Sequence, residues 1–307
     1  MVHTQQSNAY HPLIQIMFLV LCATVGALVF TVIGLAFWFL FGSNGNIAML
    51  TGNPLAMDIN LLRAMQISSS LGMFVAGPIA FAYINQVKPK IYFYLTPKLN
   101  PALLLIVFLL MLCSTPAFEW LALMNQKMEL PTWLKNVEFW MKAKEVEAGE
   151  LTKKLLVMKN YSDLAINLLM IAIIPAIGEE LFFRGGLQNI LAQWFKNHHV
   201  AIWVTAIIFS AIHLQFYGFF PRMLLGALFG YLLVYGKSIY LPILGHFLNN
   251  GTAVVMAFIL QKQGESLDNL DQTSSFNSYG YLISAIITLA LLSYFFKQAK
   301  ERETIYG

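Results

Sequence analysis

Long uncharged apolar runs alternate with short polar connections along most of the 307 residues. A helix needs about 20 predominantly apolar residues to cross a bilayer core. Eight runs approach or exceed that length: Leu13 to Phe41, Ala64 to Ile84, Pro101 to Met124, Leu164 to Leu191, Val200 to Phe216, Pro221 to Tyr235, Ile239 to Leu260 and Tyr279 to Phe296. The first is too long for a cleaved signal peptide and has no basic region before it, so it is expected to stay as a helix. Gly77-Pro78 in the second run, and Pro175 and Gly185-Gly186 in the fourth, are places where a helix bends. Ser162 and Asp163 are the N-cap candidates of the fourth run. Gly226 and Gly230 in the sixth stand four apart, a spacing that lets two helices approach closely.

One connection is long. Between Lys127 and Lys159 the chain turns polar, but Trp133, Val137, Trp140 and Met141 recur at helical spacing behind Pro131. That pattern predicts a helix lying in the membrane interface rather than a plain loop.

Composition agrees with the pattern and removes several classes of function. Hydrophobic residues make up 58% of the chain and charged residues 11%, with a mean hydropathy of +0.65. A soluble chain is about one-quarter charged, so a water-facing globule, a disordered protein and a nucleic-acid binder are all excluded. The net charge of +4 is too small to direct binding. Cys22 and Cys113 both lie inside apolar runs, which leaves no disulfide framework and no cysteine metal site. The expected fold is therefore an all-α polytopic membrane bundle of about eight transmembrane helices, with lipids as its surroundings.

Basic residues orient such a bundle. With a cytoplasmic amino terminus, the inner side holds Lys88, Lys90, Lys98, Lys196, Lys237, Lys297, Lys300 and Arg302; the outer side holds Arg63, Arg222 and Lys262, plus seven lysines of the 127 to 159 segment. With that mixed-charge segment set aside, the count favours both termini in the cytoplasm.

An ionised side chain at a helix centre costs about 2.5 to 3.5 kcal/mol on insertion scales, so intramembrane charges mark function. One cluster stands out, Gly178-Glu179-Glu180-Leu181-Phe182-Phe183-Arg184-Gly185-Gly186. Glu180 and Arg184 are four apart and can pair on one helix face, leaving Glu179 turned about 100° away. Two carboxylates with one cation in a low dielectric do not both ionise cheaply, a setting suited to general acid or base chemistry; the bland alternative is an ion pair that locks two helices. Later runs add Phe209 and His213, four apart, and His246 and Asn250, also four apart. A lone histidine in an apolar helix is more often a packing residue, but three such signals fall on successive runs. Glu119, after Pro116, is a secondary candidate that caps its helix or pairs with Lys127.

The combination Glu-Glu-x-x-x-Arg at 179 to 184, Phe-x-x-x-His at 209 to 213 and His-x-x-x-Asn at 246 to 250 resembles the CPBP family of intramembrane proteases. This is the CAAX amino-terminal protease or abortive-infection (Abi) group, which includes the eukaryotic Ras-converting prenyl-protein endopeptidase. Arg184-Gly185-Gly186-Leu187-Gln188 and Leu241-Pro242-Ile243-Leu244 are similar to family sequence too, and the resemblance covers roughly Leu164 to Leu260. It implies a membrane-embedded peptidase in which Glu179 activates a water with the help of His213. His246 and Asn250 belong to an oxyanion hole in one account and bind metal in another, while Glu180 and Arg184 hold the helix in register. The chain then reads as one membrane domain with three parts: helices and interfacial segment in 1–160, catalytic core helices in 161–262, and a last helix and tail in 263–307.

The metal question stays open at this point. A zinc hydrolase wants three protein ligands, which Glu179, His213 and His246 can supply, but no His-Glu-x-x-His helix occurs; the cofactor is none or zinc. No Gly-x-Ser-x-Gly occurs either, which weakens a serine-hydrolase reading. The implied partner is a peptide or protein substrate, prenylated or otherwise membrane-anchored, with bacteriocin maturation or self-immunity as the other role the family suggests. The rival classes are a non-catalytic immunity or scaffold protein, which tolerates loss of motif residues, and a proton-coupled transporter, which usually shows repeated halves. The six motif residues are all present and no repeat is visible. The depths of the two histidines conflict. His246 lies about 10 to 12 Å into its run, whereas His213 is near the far end of its own. Either the fifth run continues toward Phe220, or tilted helices open a water-filled cavity.

Overall fold

A computed structural model describes residues 10–42, 53–95, 99–268 and 276–306, with the side chains of 302–306 left out. Among the described residues there are helices and turns and no strand. Seven helical stretches are long and apolar enough to cross a membrane, which makes the chain a multi-pass integral membrane protein. They are α1 (Pro12–Phe41), α2 (Ile59–Ile84), α3 (Pro101–Gln126), α5 (Tyr161–Phe195), α7 (Phe219–Gly236), α8 (Tyr240–Lys262) and α9 (Ser278–Tyr306). Between them lie α4 (Lys135–Leu155), in the long polar connection, and α6 (His198–Ala211). Lys98 and the side chain of Arg302, both counted on the inner side, lie outside the described residues.

The remaining one of the eight apolar runs is the shorter helix α6. It has 14 residues, about 21 Å of helix against a hydrocarbon core of about 30 Å. It does not run on toward Phe220: it stops at Ala211, and residues 212–218 form turns before α7 begins. Leu214 takes a positive φ of 53° in this turn, which a continuing helix does not allow.

Two membrane helices carry the same kind of irregularity. In α2 the residues Leu71–Ala76 widen into a π-turn whose Gly77 N–H reaches back to the Gly72 carbonyl, immediately before Pro78. In α5 the residues Leu168–Ile173 do likewise, with Ile174 N–H bonded to the Leu169 carbonyl just before Pro175. A proline offers no N–H to the carbonyl four residues back, so the helix must shift register or find another donor. A third π-turn in α5, Glu180–Leu187, contains the charged motif itself. Such turns concentrate at functional sites because they re-aim side chains without ending the helix.

Small residues set the closest contacts. A Cβ on Gly26 of α1 would stand 2.2 Å from the Gly72 carbonyl oxygen of α2, and one on Gly77 would stand 2.7 Å from Ala23 Cα. Gly178 of α5 lies against Phe74 of α2 in the same way. Gly226 of α7 packs on Ala206 and Phe209 of α6, and Gly230 on Gln188 and Ile202, which is the close approach that their spacing predicts. The start of α5 is capped by Asn160, whose Oδ1 accepts from Asp163 N–H at 2.9 Å; Ser162 does not serve as the cap. Asp163 accepts instead from Arg63 of α2 at 2.9 Å and from Lys159 N–H.

The long polar connection contains a 21-residue helix, α4, with Phe139, Trp140 and Val146 exposed on it and Trp133 exposed in the short turn of 3-10 helix just before it. Its one buried charge, Glu138, takes Lys142 at 2.6 Å, Lys135 at 3.3 Å and the Leu130 N–H at 3.2 Å. Those partners, led by the Lys142 ammonium, hold the Glu138 carboxyl below the usual carboxylate range. Glu145 on the same helix accepts from the Tyr217 N–H at 2.9 Å, fastening α4 over the turn that follows α6. Glu119 accepts from the Tyr281 hydroxyl of α9 at 3.2 Å. One turn earlier Ser284 of α9 bridges the irregularity at Pro116, donating to the Cys113 carbonyl at 2.6 Å and accepting from the Ala117 N–H at 3.1 Å.

Candidate active site

The site is built on the π-turn of α5, where α6, α7 and α8 close around it. Glu180 and Arg184 are both fully buried. Arg184 Nη1 donates to Glu180 Oε1 at 2.7 Å, and Nη2 donates to the Gly226 carbonyl at 3.1 Å. The guanidinium carbon sits 4.6 Å from the Phe209 ring centre and 5.4 Å from that of Phe229. Arginine suits this place because a planar, weakly hydrated cation can pair with a carboxylate at its edge while stacking on rings. The absence of a Cβ at Gly226 lets α7 approach closely enough for its carbonyl to join the network.

Glu180 Oε1 has a second partner, His246 Nδ1 of α8, at 2.8 Å. A carboxylate only accepts, so the Nδ1 proton points to Glu180 and Nε2 is the nitrogen turned away from it. Nε2 lies 3.9 Å from Glu179 Oε2. The imidazole is clamped by Phe229, stacked at 5.5 Å with a tilt of 20°, and by Phe209, edge-on at 6.2 Å. Glu179, 16% exposed, faces the less enclosed side of the network. The two adjacent glutamates therefore have different surroundings. Glu180 Oε1 is shared by a cation and an imidazole while its Oε2 is buried without a partner, and Glu179 is near the other ring nitrogen.

His213 lies beyond the end of α6. Its Nδ1 stands 2.7 Å from the Phe209 carbonyl and its ring packs edge-on against Phe209 at 5.1 Å. Phe209 is thus the shared wall between the two histidines. Asn250 lies one turn after His246 on α8. Its amide nitrogen donates to the Ile171 carbonyl of α5 at 3.0 Å, and its oxygen accepts from Asn249 at 3.0 Å. Glu179, Glu180, Arg184 and His246 thus form one connected group, His213 joins them through Phe209, and Asn250 is bonded to the α5 backbone. Among the described residues no three His, Cys, Asp or Glu side chains form a group that could hold a metal ion.

Two contributors are not apparent from the sequence motifs. Arg222, near the start of α7, donates through Nη2 to Gln215 at 2.6 Å, while its Nη1 is buried without a partner; in the sequence it is only an outer-side charge. Phe229 carries no polar atom, and its role shows only once α7 stands beside both Arg184 and His246. An apolar cavity of about 330 Å³ lies next to the motif helix, between Ile79, Phe93, Ile177, Leu181, Tyr240 and Ile243.

No curated protein and no solved structure matches the chain. Residues 161–252, which run from the start of α5 into α8 and include all six motif residues, match the family model described as Rce1-like, type II CAAX prenyl endopeptidase Rce1-like. By that match the stretch from the start of α5 into α8 is similar to the CAAX-type prenyl endopeptidases.

Proposed function

We propose that the protein hydrolyses a peptide bond of a membrane-anchored, CAAX-type substrate by means of a water activated at Glu179. The observation that carries this reading is the division of labour between the paired carboxylates. Glu180 orients His246 through Nδ1, so that Nε2 and Glu179 Oε2, 3.9 Å apart, can both touch one water. Glu179 takes a proton from that water as its oxygen adds to the scissile carbonyl, and returns the proton to the departing amine. His246, oriented by Glu180, keeps the water in line, and His213 contributes to the surrounding polar wall. The apolar cavity beside Ile177 and Leu181 suits the hydrocarbon anchor of a lipid-modified substrate.

The decisive test is cleavage of a lipidated, membrane-anchored peptide by purified wild type and Glu179→Gln, each with and without a chelator. Losing a general base costs about 10²- to 10⁴-fold, so the variant is expected to fall by that factor while the wild type is indifferent to chelation. Undiminished cleavage by Glu179→Gln overturns the mechanism, and loss of wild-type activity on chelation, restored by zinc, replaces it with a metal-dependent one.

A further inference from the structure

Pro175 stands four residues before Glu179 in α5 and has no N–H. In α-helical register residue 175 donates to the carbonyl of residue 171, and in the register of the π-turn just before it, where Ile174 bonds Leu169, it faces Met170, so a proline here leaves carbonyls of this turn without their donor. The amide of Asn250 donates to that same Ile171 carbonyl, at 3.0 Å, from the neighbouring helix α8. A carbonyl only accepts, so the amide nitrogen is the end that faces Ile171, and the amide oxygen accepts from Asn249 Nδ2. Asn250 is also one helical turn beyond His246, whose ring engages Glu180 and faces Glu179. The two helices are thus joined at two levels, His246 to Glu180 and Asn250 to Ile171, with Pro175 and Glu179 lying between them along α5. A side chain also meets the backbone beside a proline elsewhere in the molecule, where Ser284 of α9 bridges the Cys113 carbonyl and the Ala117 N–H next to Pro116 of α3.

We infer that Asn250 is a positioning residue whose amide replaces the hydrogen bond Pro175 cannot make, and that it thereby fixes the distance between His246 and Glu179. It does not act by donating to the reacting carbonyl. The inference rests on the peptidase reading for its activity measurement, but its structural half stands independently of that reading. The helix break at Pro175 gives α5 the register that turns Glu179 toward α8, and the exposed carbonyl that the break leaves becomes the attachment point for the facing helix. An oxyanion donor has no reason to depend on the identity of residue 175. A substitute for the missing N–H depends on it directly.

The experiment is a double-mutant cycle on the full-length protein in detergent, with Asn250→Ala, Pro175→Ala and the combined variant. It is read by kcat and KM per folded molecule on a membrane-anchored peptide and by thermal unfolding. Asn250→Ala alone is expected to lower kcat about 10- to 100-fold with KM little changed, as a small displacement of catalytic groups does. Pro175→Ala supplies an N–H at residue 175, so the combined variant is expected to recover at least tenfold over Asn250→Ala and to regain most of any lost thermal stability. Equal losses of kcat from Asn250→Ala in the wild-type and Pro175→Ala backgrounds overturn the inference and return Asn250 to direct oxyanion binding. Should Asn250→Ala not fold, Asn250→Asp, which keeps the shape and removes the donor, takes its place in the cycle. Should no variant cleave, the thermal cycle decides: additive shifts overturn the inference and coupled shifts support it. Failure of the peptidase reading shows separately, as full activity in Glu179→Gln or no cleavage by the wild type.

Discussion

Helices α2 and α5 contain the same local irregularity, a π-turn followed at once by proline, and they touch each other close to it, Gly178 against Phe74. Their other neighbours could hardly differ more. The break in α2 is pressed against backbone, with Gly72 on Gly26 and Gly77 on Ala23 of α1. The break in α5 faces polar side chains: Asn250 on the Ile171 carbonyl and, further on, Glu180 between Arg184 and His246. A widened, proline-interrupted helix is therefore not in itself a catalytic device. In α2 it permits a backbone contact too close for any side chain, and in α5 it turns charged groups inward and leaves acceptors to be filled from outside.

Four substitutions or conditions should separate these two uses, beginning with the strongest. Glu180→Gln leaves Arg184 buried against a neutral partner and unlocks His246. Breaking a buried pair from one side costs about 3 to 5 kcal/mol, so both the thermal midpoint in detergent and peptide cleavage are expected to fall steeply. Gly26→Leu drives a side chain into the Gly72 carbonyl. Overpacking costs about 1 to 3 kcal/mol, so the midpoint should drop while kcat per folded molecule holds, and a loss of kcat comparable to that of Glu180→Gln would erase the distinction between the two helices. Ser284→Ala removes both bonds that bridge the break near Pro116. Interhelical polar contacts in membranes contribute about 0.6 to 2 kcal/mol, so a smaller fall in thermal midpoint is expected, again with cleavage intact.

The smallest effect concerns α4, outside the bundle. The Glu138 carboxyl titrates below its ordinary value because of Lys142, the Leu130 N–H and Lys135. Its folded pKa is depressed, so its contribution to stability is fully present above the unfolded glutamate value of about 4.3 and disappears as pH falls through the folded one. Protease susceptibility and tryptophan fluorescence of the Trp133 and Trp140 segment should therefore stay flat from pH 8 to about pH 5, and change only in stronger acid. Glu138→Gln should abolish that acid transition without altering cleavage at neutral pH.

Much of the fold is legible in the sequence because a bilayer imposes a simple rule: a helix must be apolar for a fixed length. Seven spans follow that rule, and the charged motif stands out against them. The rule fails at α6, where the apolar run from Val200 to Phe216 suggests a span but the helix ends at Ala211. What terminates it is tertiary: Ser210 donates to the Phe219 carbonyl, Glu145 takes the Tyr217 N–H and Asn125 takes the Phe220 N–H. These partners lie 9, 72 and 95 residues away along the chain, and no local pattern announces them. The Glu180–Arg184 pair is readable from a spacing of four, while its third member, His246, is 66 residues distant. Gly26 and Gly72 escape notice for a different reason, since a glycine in an apolar run looks like any small residue until the helix it touches is known. Arg222 is visible only as a charge, because the buried environment of its guanidinium is made by Gln215 and the turn preceding α7.

The shortness of α6 has a consequence for the solvent. Its 14 residues fall about 9 Å short of a hydrocarbon core of about 30 Å. The turn that follows carries peptide groups that lipid cannot satisfy, and α4 covers it by taking the Tyr217 N–H on Glu145. The break thus sets polar backbone next to His213 under a polar helix, the kind of polar approach that the proposed hydrolysis calls for and that a full-length apolar helix would close off.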